Sequence, residues 1–380
     1  MTFDLSLLGS KLSRYRQQFQ LTVEDISEAT GIPTDMLQAY ESGALQPSGD
    51  EILILADFYK CDFKFFISNE RLAPFEQTEM LFRKHGDQLS KADRWSIQEF
   101  LFLCECEHDL VELLGRRARL TFSFIPSGDY YKAHGEGAAA ELRKILGYTS
   151  DQLTSDDIFQ DFRRIGLHIF RRKLQNSKIS GLFLKHPVIG KCILINYNED
   201  VYRQRFTAAH ELGHAILDGD REFNVSFENE QHALVEVRAN TFASRYLLPP
   251  EMLRRKLPTA IRWTREQVLN VSSQLQVNPQ TLAIALKDAG TISHKDYEQI
   301  ASIKLPRQSK IDPELPASLS PRSFERRQEM LQRGLSTYYV ELCLGAYSQN
   351  LITRARLAEI LLVDERELFD IEALFQANIQ

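Results

Sequence analysis

Two histidines one helical turn apart with a glutamate between them, His210, Glu211 and His214 in the run HELGH, are the side chains of this 380-residue chain best suited to chemistry. On a helix, positions i and i+4 lie on one face, so both imidazoles can converge on one cation while Glu211 reaches a water beside it. Zinc held in that way needs a third protein ligand and an open position. It would lower the pKa of its water toward ~7, and Glu211 would accept the proton as the water attacks a carbonyl. A pattern with three fixed positions also arises by chance, so its surroundings must decide. Phe206, Ala209, Leu212, Ile216 and Leu217 make the helix apolar, and a core helix has no use for two histidines and a glutamate facing inward.

Several side chains follow within reach as third ligand: Asp218, Glu222, Glu228, Glu230, His232 and Glu236. Glu236 is the expected third ligand. It opens EVRANTFASRYLLPP, where Glu236, Asn240, Ala243 and Leu247 share a helical face, so its carboxylate would come from a packed helix rather than a loop. Asn240, one turn on, either orients that carboxylate or only stabilises its own helix. His232 is a candidate donor to an oxyanion if the helix starts early, and otherwise a surface histidine.

The elements that must position these groups are legible in outline. Residues 136–147 and 155–164 have helical patterns. Three β-like runs follow, around LHIF, ISGLFL and KCILINYN, the last of which could be an edge strand along which a substrate peptide lies. The HELGH helix comes next, then a polar stretch to Gln231, a helix near 233–246 ending at Pro249 and Pro250, and more helix over 264–289. Pro306, Pro313, Pro316 and Pro321 mark a linker, and the last 60 residues are helical. At the other end, residues 5–67 alternate short amphipathic helices with turn signals: Thr22 before VEDISEAT, Gly31 as its stop, and Ser48 before GDEILILADFY.

Two resemblances rest on these residues. Residues 5–67, with LTVEDI, TGI and YESG, resemble the N-terminal helix-turn-helix of XRE-type bacterial regulators. FTAAHELGH followed by E-x2-AN-x-FA-x3-LLP, with SG and ILIN upstream, resembles the ImmA/IrrE metallopeptidases over roughly residues 130–290. That likeness implies His210, His214 and Glu236 as ligands of one Zn2+ per chain, Glu211 as catalytic base, and a transcriptional repressor as substrate. It also implies a role in a stress, mobile-element or defence response.

Composition sets the remaining bounds. With 43% hydrophobic and 26% charged residues the chain is an ordinary globular one, long enough for several domains. It has no run of ~18 apolar residues and begins without a basic n-region, so a cytoplasmic protein with no membrane partner is expected. Its five cysteines are odd in number and sit mostly in apolar runs. Cys104 and Cys106 are read as core thiols in preference to a thiolate plugging the zinc. The net charge of −6 lies wholly in residues 1–70, which carry 5 basic and 11 acidic side chains. DNA binding calls for positive charge. In the helix Thr34–Glu41, Thr34 and Gln38 are candidate base readers, yet Asp35 and Glu41 would repel phosphate, and only Lys11, Arg14 and Arg16 offer a basic face. Thr34, Gln38, Arg14 and Arg16 are therefore candidate contacts to DNA, bound weakly, or to a partner repressor.

The expected architecture is α+β: an all-α helix-turn-helix domain (1–70), a helical connector (71–120), a small zincin-like metallopeptidase domain with a short sheet (121–290), a linker (291–322) and a helical C-terminal domain (323–380) that senses or forms a homodimer. The expected function is zinc-dependent, site-specific cleavage of an XRE-type repressor. The alternatives are a DNA-binding regulator with a sensory or structural metal domain, and a toxin–antitoxin component.

Overall fold

A computed structural model describes residues 4–61, 63–68, 81–82, 85, 88–118, 120–129, 131–176, 178–218, 223–227, 234–257 and 263–375. The chain divides into two compact units, residues 1–105 with 186–188, and residues 106–185 with 189–380. Among the described residues no helix is long and apolar enough to cross a membrane.

The described elements of residues 4–105 are helices: α1 (Leu5–Gln18), α2 (Val23–Thr30), α3 (Thr34–Glu41), α4 (Gly49–Tyr59), α5 (Phe63–Ile67) and the first part of α6 (Lys91–Leu113). Local sequence sets the breaks. Thr22 with Asp25 and Ser48 with Glu51 form capping boxes, and Gly31 ends α2 at a φ of 74°. Gly9 lets α1 lie against α3, because a Cβ there would stand 2.5 Å from the Glu41 carbonyl oxygen. Tyr15, Phe19, Tyr59 and Phe66 fill the core, and Trp95 stacks on Phe19 at 4.3 Å between centroids.

The second unit is mixed. Helices α7 (Tyr131–Ile145) and α8 (Ile158–Arg164) lead into β1 (His168–Arg172), β2 (Ile179–His186) and β3 (Gly190–Asn196). Then come α9 (Val201–Leu217), β4 (Phe223–Phe227) and α10 (Leu234–Leu247). The sheet order is β1-β3-β2-β4, with β1 parallel to β3 (Ile169 opposite Ile193) and β2 antiparallel to β4 (Leu182 opposite Val225). KCILINYN is thus not an edge strand: β3 lies between β1 and β2, buried on both sides, as its unbroken apolar run CILI suits. The outer strands are β1 and β4, and β4 falls in the stretch read from sequence as merely polar.

One core joins α7, α8, the inner sheet face, α9 and α10. It continues into α11 (Pro250–Lys256), α12 (Arg265–Leu275), α13 (Pro279–Asp288) and α14 (His294–Ala301). Residues 291–322 are consequently not a free linker. Ile300 of α14 is fully buried in the core, and Lys310 and Asp312 pair with Asp200 and Arg171, each at 2.7 Å. The prolines shape a strap held by charge pairs, which proline spacing alone does not distinguish from a spacer. The chain ends in α15 (Pro321–Gln332), α16 (Thr337–Ser348), α17 (Arg354–Ile360) and α18 (Glu365–Phe375). The Gln332 carbonyl accepts from Lys173 N–H at 2.9 Å just beyond β1.

Candidate metal centre

Helix α9 is buried over almost its whole length, which its sequence permits through small residues at the points of closest approach. Gly213 faces α10, where a Cβ would stand 3.2 Å from Ala239 Cα. Gly181 of β2 leaves room beneath the helix, where a Cβ would stand 2.9 Å from Thr207 Cγ2 and 3.2 Å from Glu211 Cγ. Asp200 caps the helix, accepting from Tyr202 and Arg203 N–H at 3.1 Å each.

This packing brings three donor side chains together. His210 Nε2 and His214 Nε2 are 3.0 Å apart, Glu236 Oε2 lies 3.1 Å from the first and Glu236 Oε1 3.3 Å from the second. A tetrahedral zinc with bonds of ~2.0–2.1 Å spaces its donors about 3.3 Å apart, so the cluster has the size of one such ion. The outer ring nitrogens support the same conclusion. His210 Nδ1 is 3.0 Å from Asn240 Oδ1 and His214 Nδ1 is 2.6 Å from Asp218 Oδ2. Both outer partners are acceptors, which places the imidazole protons on Nδ1 and turns two Nε2 lone pairs and a carboxylate toward one point. A cation is what such a set lacks.

Glu211 has 0% exposure, and among the described residues neither carboxylate oxygen has a hydrogen-bond partner of ordinary geometry. Burial raises its pKa, against the opposing pull of the two imidazoles and of the Ser226 hydroxyl on β4. Glu211 thus lies buried beside three convergent donor side chains, with the Ser226 hydroxyl as a polar neighbour.

Two residues take roles other than those read from the sequence. Asn240 orients His210 and not the Glu236 carboxylate, because it lies across from the histidine on the α9–α10 interface. Asp218, weighed as a third ligand, has both oxygens engaged instead, one by His214 and the other by Arg238 of α10. Sequence reasoning missed Arg238 and Ser226 altogether. Glu222, Glu228, Glu230 and His232 lie outside the described residues. Cys104 and Cys106 are both buried, and Cys106 Sγ is 3.8 Å from Arg356 Nη2.

The helix-turn-helix residues lie in the other unit. Gln38 and Asp35 are exposed and Thr34 and Arg14 half-buried. Glu41 is not a repulsive group: Arg16 grips it through Nε at 2.7 Å and Nη2 at 2.8 Å. Nor do Lys11, Arg14 and Arg16 make a basic face. Lys11 is buried, donating to the carbonyls of Phe65 and Ser68 at 2.5 and 2.6 Å, and Arg16 is neutralised.

Comparison with known proteins bears on the same stretch of the chain. Residues 162–287 match the IrrE N-terminal-like domain, a shorter span than the 130–290 suggested by motifs, and residues 12–66 match a helix-turn-helix domain. The radiation response metalloprotease IrrE of Deinococcus radiodurans is 42% identical over 76 residues, 18% of this chain and 23% of that protein. The metallopeptidase ImmA of Bacillus subtilis is 29% identical over 133 residues, 34% of this chain and 75% of that protein. The first of these matches spans under a quarter of the relative's length, and both are confined to part of this chain. Residues 162–287 are therefore similar to the ImmA/IrrE metallopeptidases, and they follow a helix-turn-helix domain over residues 12–66.

Proposed function

We propose that this protein is a zinc-dependent, site-specific endopeptidase that cleaves a transcriptional repressor of XRE type, switching on a stress, mobile-element or defence response. The observation that carries the reading is the convergence of His210, His214 and Glu236 beside the buried Glu211. When bound, zinc supplies a Lewis acid that polarises the scissile carbonyl and acidifies water. His210, His214 and Glu236 would hold it, and Glu211 would take the proton and pass it to the leaving amine. Burial keeps the Glu211 pKa above the ordinary carboxylate range, which suits a group that must both accept and return a proton. Strand β4 is the outermost strand beside the site and carries Ser226 toward Glu211, so an extended peptide adding to the sheet there would cross the metal.

A regulator with a structural metal is less well supported, since such a site has no need of a buried carboxylate that ligates nothing. The helix-turn-helix then serves to dock the repressor in preference to gripping DNA, in keeping with its acidic surface. The experiment is co-expression of the repressor encoded beside this gene with wild type and with Glu211→Gln, followed by intact-mass spectrometry. Discrete fragments with wild type alone are expected, with zinc retained by both proteins. An intact repressor beside zinc-loaded wild type, with and without inducing stress, would overturn the reading.

A further inference from the structure

We propose that Asp218 and Arg238 are positioning residues that fix the tautomer and raise the donor strength of His214, so that the docking of α10 delivers the third ligand and this charge pair together. The inference rests on reading His210, His214 and Glu236 as metal ligands. Asp218 closes α9, its N–H donating to the His214 carbonyl at 2.9 Å. Its carboxylate is divided between two partners: Oδ2 stands 2.6 Å from His214 Nδ1, and Oδ1 accepts from Arg238 Nη2. A hydrogen bond from Nδ1–H to an ionised acceptor turns the Nε2 lone pair toward the cluster and makes the ring a stronger donor.

Asp218 alone could not play this part. Its side chain is only 4% exposed, and a buried carboxylate charge is costly unless a cation pairs with it. Arg238 removes that penalty. It lies two residues after Glu236 on α10, with its guanidinium 5.2 Å from the Tyr131 ring centroid on α7. Gly135 of α7 allows the approach, since a Cβ there would stand 2.6 Å from the Arg238 carbonyl oxygen. The two imidazoles are therefore unequal: His210 faces a neutral amide and His214 a carboxylate tied to a guanidinium. A single helix brings Glu236, Arg238 and Asn240 to the site, so metal affinity reports the seating of α10.

The test uses the full chain as wild type, Asp218→Asn, Arg238→Gln and Arg238→Lys. Arg245→Gln is the control on the same helix, because Arg245 pairs with Glu136 at 2.8 Å, apart from the cluster. Zinc affinity is measured by chelator competition, and the Co2+-loaded proteins are compared by visible absorption. Asp218→Asn is expected to weaken zinc about 10–100-fold and shift the Co2+ bands. Arg238→Gln should do so to a smaller degree, Arg238→Lys should recover part of the loss, and Arg245→Gln should match wild type. Tight zinc in wild type with unchanged affinity and spectrum in Asp218→Asn and Arg238→Gln would overturn the positioning role and leave the metal site standing. Loss of zinc only together with loss of far-ultraviolet helical signal would overturn it as well. A wild type that takes up no zinc would overturn the metal reading itself.

Discussion

Asn240 Oδ1 stands 3.0 Å from His210 Nδ1, joining α9 to α10 by a hydrogen bond that leaves the other ring nitrogen, Nε2, facing Glu236. Replacing Asn240 by Ala removes the acceptor and lets the ring change tautomer. Zinc affinity should fall by about tenfold or more, as for other partners of ligating histidines. Asn240→Asp keeps an acceptor of similar shape, so it should bind zinc at least as well as wild type in the same chelator titration. Equal affinity for Asn240→Ala and wild type would show that the bond does not hold the ring.

Gly181 sets the distance between the sheet and the face of α9 that carries Thr207 and Glu211. A methyl group there meets Thr207 Cγ2 at 2.9 Å, the Leu194 carbonyl oxygen at 3.0 Å and Glu211 Cγ at 3.2 Å. The Leu194 carbonyl belongs to the sheet and cannot swing away, so the helix must give. Gly181→Ala should cost about 1–3 kcal/mol of stability by overpacking and reduce hydrolysis further by displacing Glu211. Thermal melts and the repressor-cleavage assay check the two effects separately, and a variant as stable and active as wild type would contradict this packing.

How much of this was legible beforehand follows from what each feature depends on. The HELGH helix and the approach of Glu236 could be read because periodicity and residue chemistry are local properties. The partner of Asn240 could not, since it depends on the rotation of α10 against α9, which Gly213 and Ala239 decide by close contact. Strand β4 escaped notice because FNVSF is five residues long and flanked by charge, so its pairing with β2 comes from tertiary context. Arg16 and Lys11 looked like free basic groups because a charge sum cannot see that one grips Glu41 and the other is buried beneath two carbonyls. The strap at 306–314 read as a linker for a similar reason: its prolines are visible, while the partners of its charged side chains lie over a hundred residues away.

Acid should loosen the start of α9 first. Burial alone would raise the Asp200 pKa, but Lys310 Nζ, the Arg203 N–H and Asn278 outweigh it and hold the carboxyl below its ordinary value. A lowered folded pKa means stability that is fully present above the unfolded value of ~3.9 and is lost as pH falls through the folded one. Asp200→Asn keeps a good N-cap residue yet gives up the titration. Urea melts between pH 5 and pH 2.5 should show a shallower loss of stability for Asp200→Asn than for wild type, with the variant the less stable of the two at pH 7. Parallel curves would show that Lys310 contributes nothing through this pair.

The helix-turn-helix surface yields the remaining prediction. Glu24 and Glu28 on α2 and Asp35 on α3 are exposed, while Arg16 is spent on Glu41, Lys11 is buried and Lys60 is paired with Asp57 at 2.7 Å. Phosphate contacts by lysine and arginine supply nearly all non-specific affinity and give log K a slope of about −0.9 per contact against log salt. A surface with so little uncompensated positive charge should neither retard a random duplex at ~0.1 M salt nor show a steep salt dependence. Reversing three of its charges, Glu24→Lys, Glu28→Lys and Asp35→Lys together, should create salt-dependent duplex binding and weaken capture of a basic repressor. A mobility shift across a salt series checks the first effect and pull-down of the repressor the second. Strong, steeply salt-dependent binding of a duplex by wild type would mean that the domain grips DNA despite its charge, and the docking role assigned to it would fall.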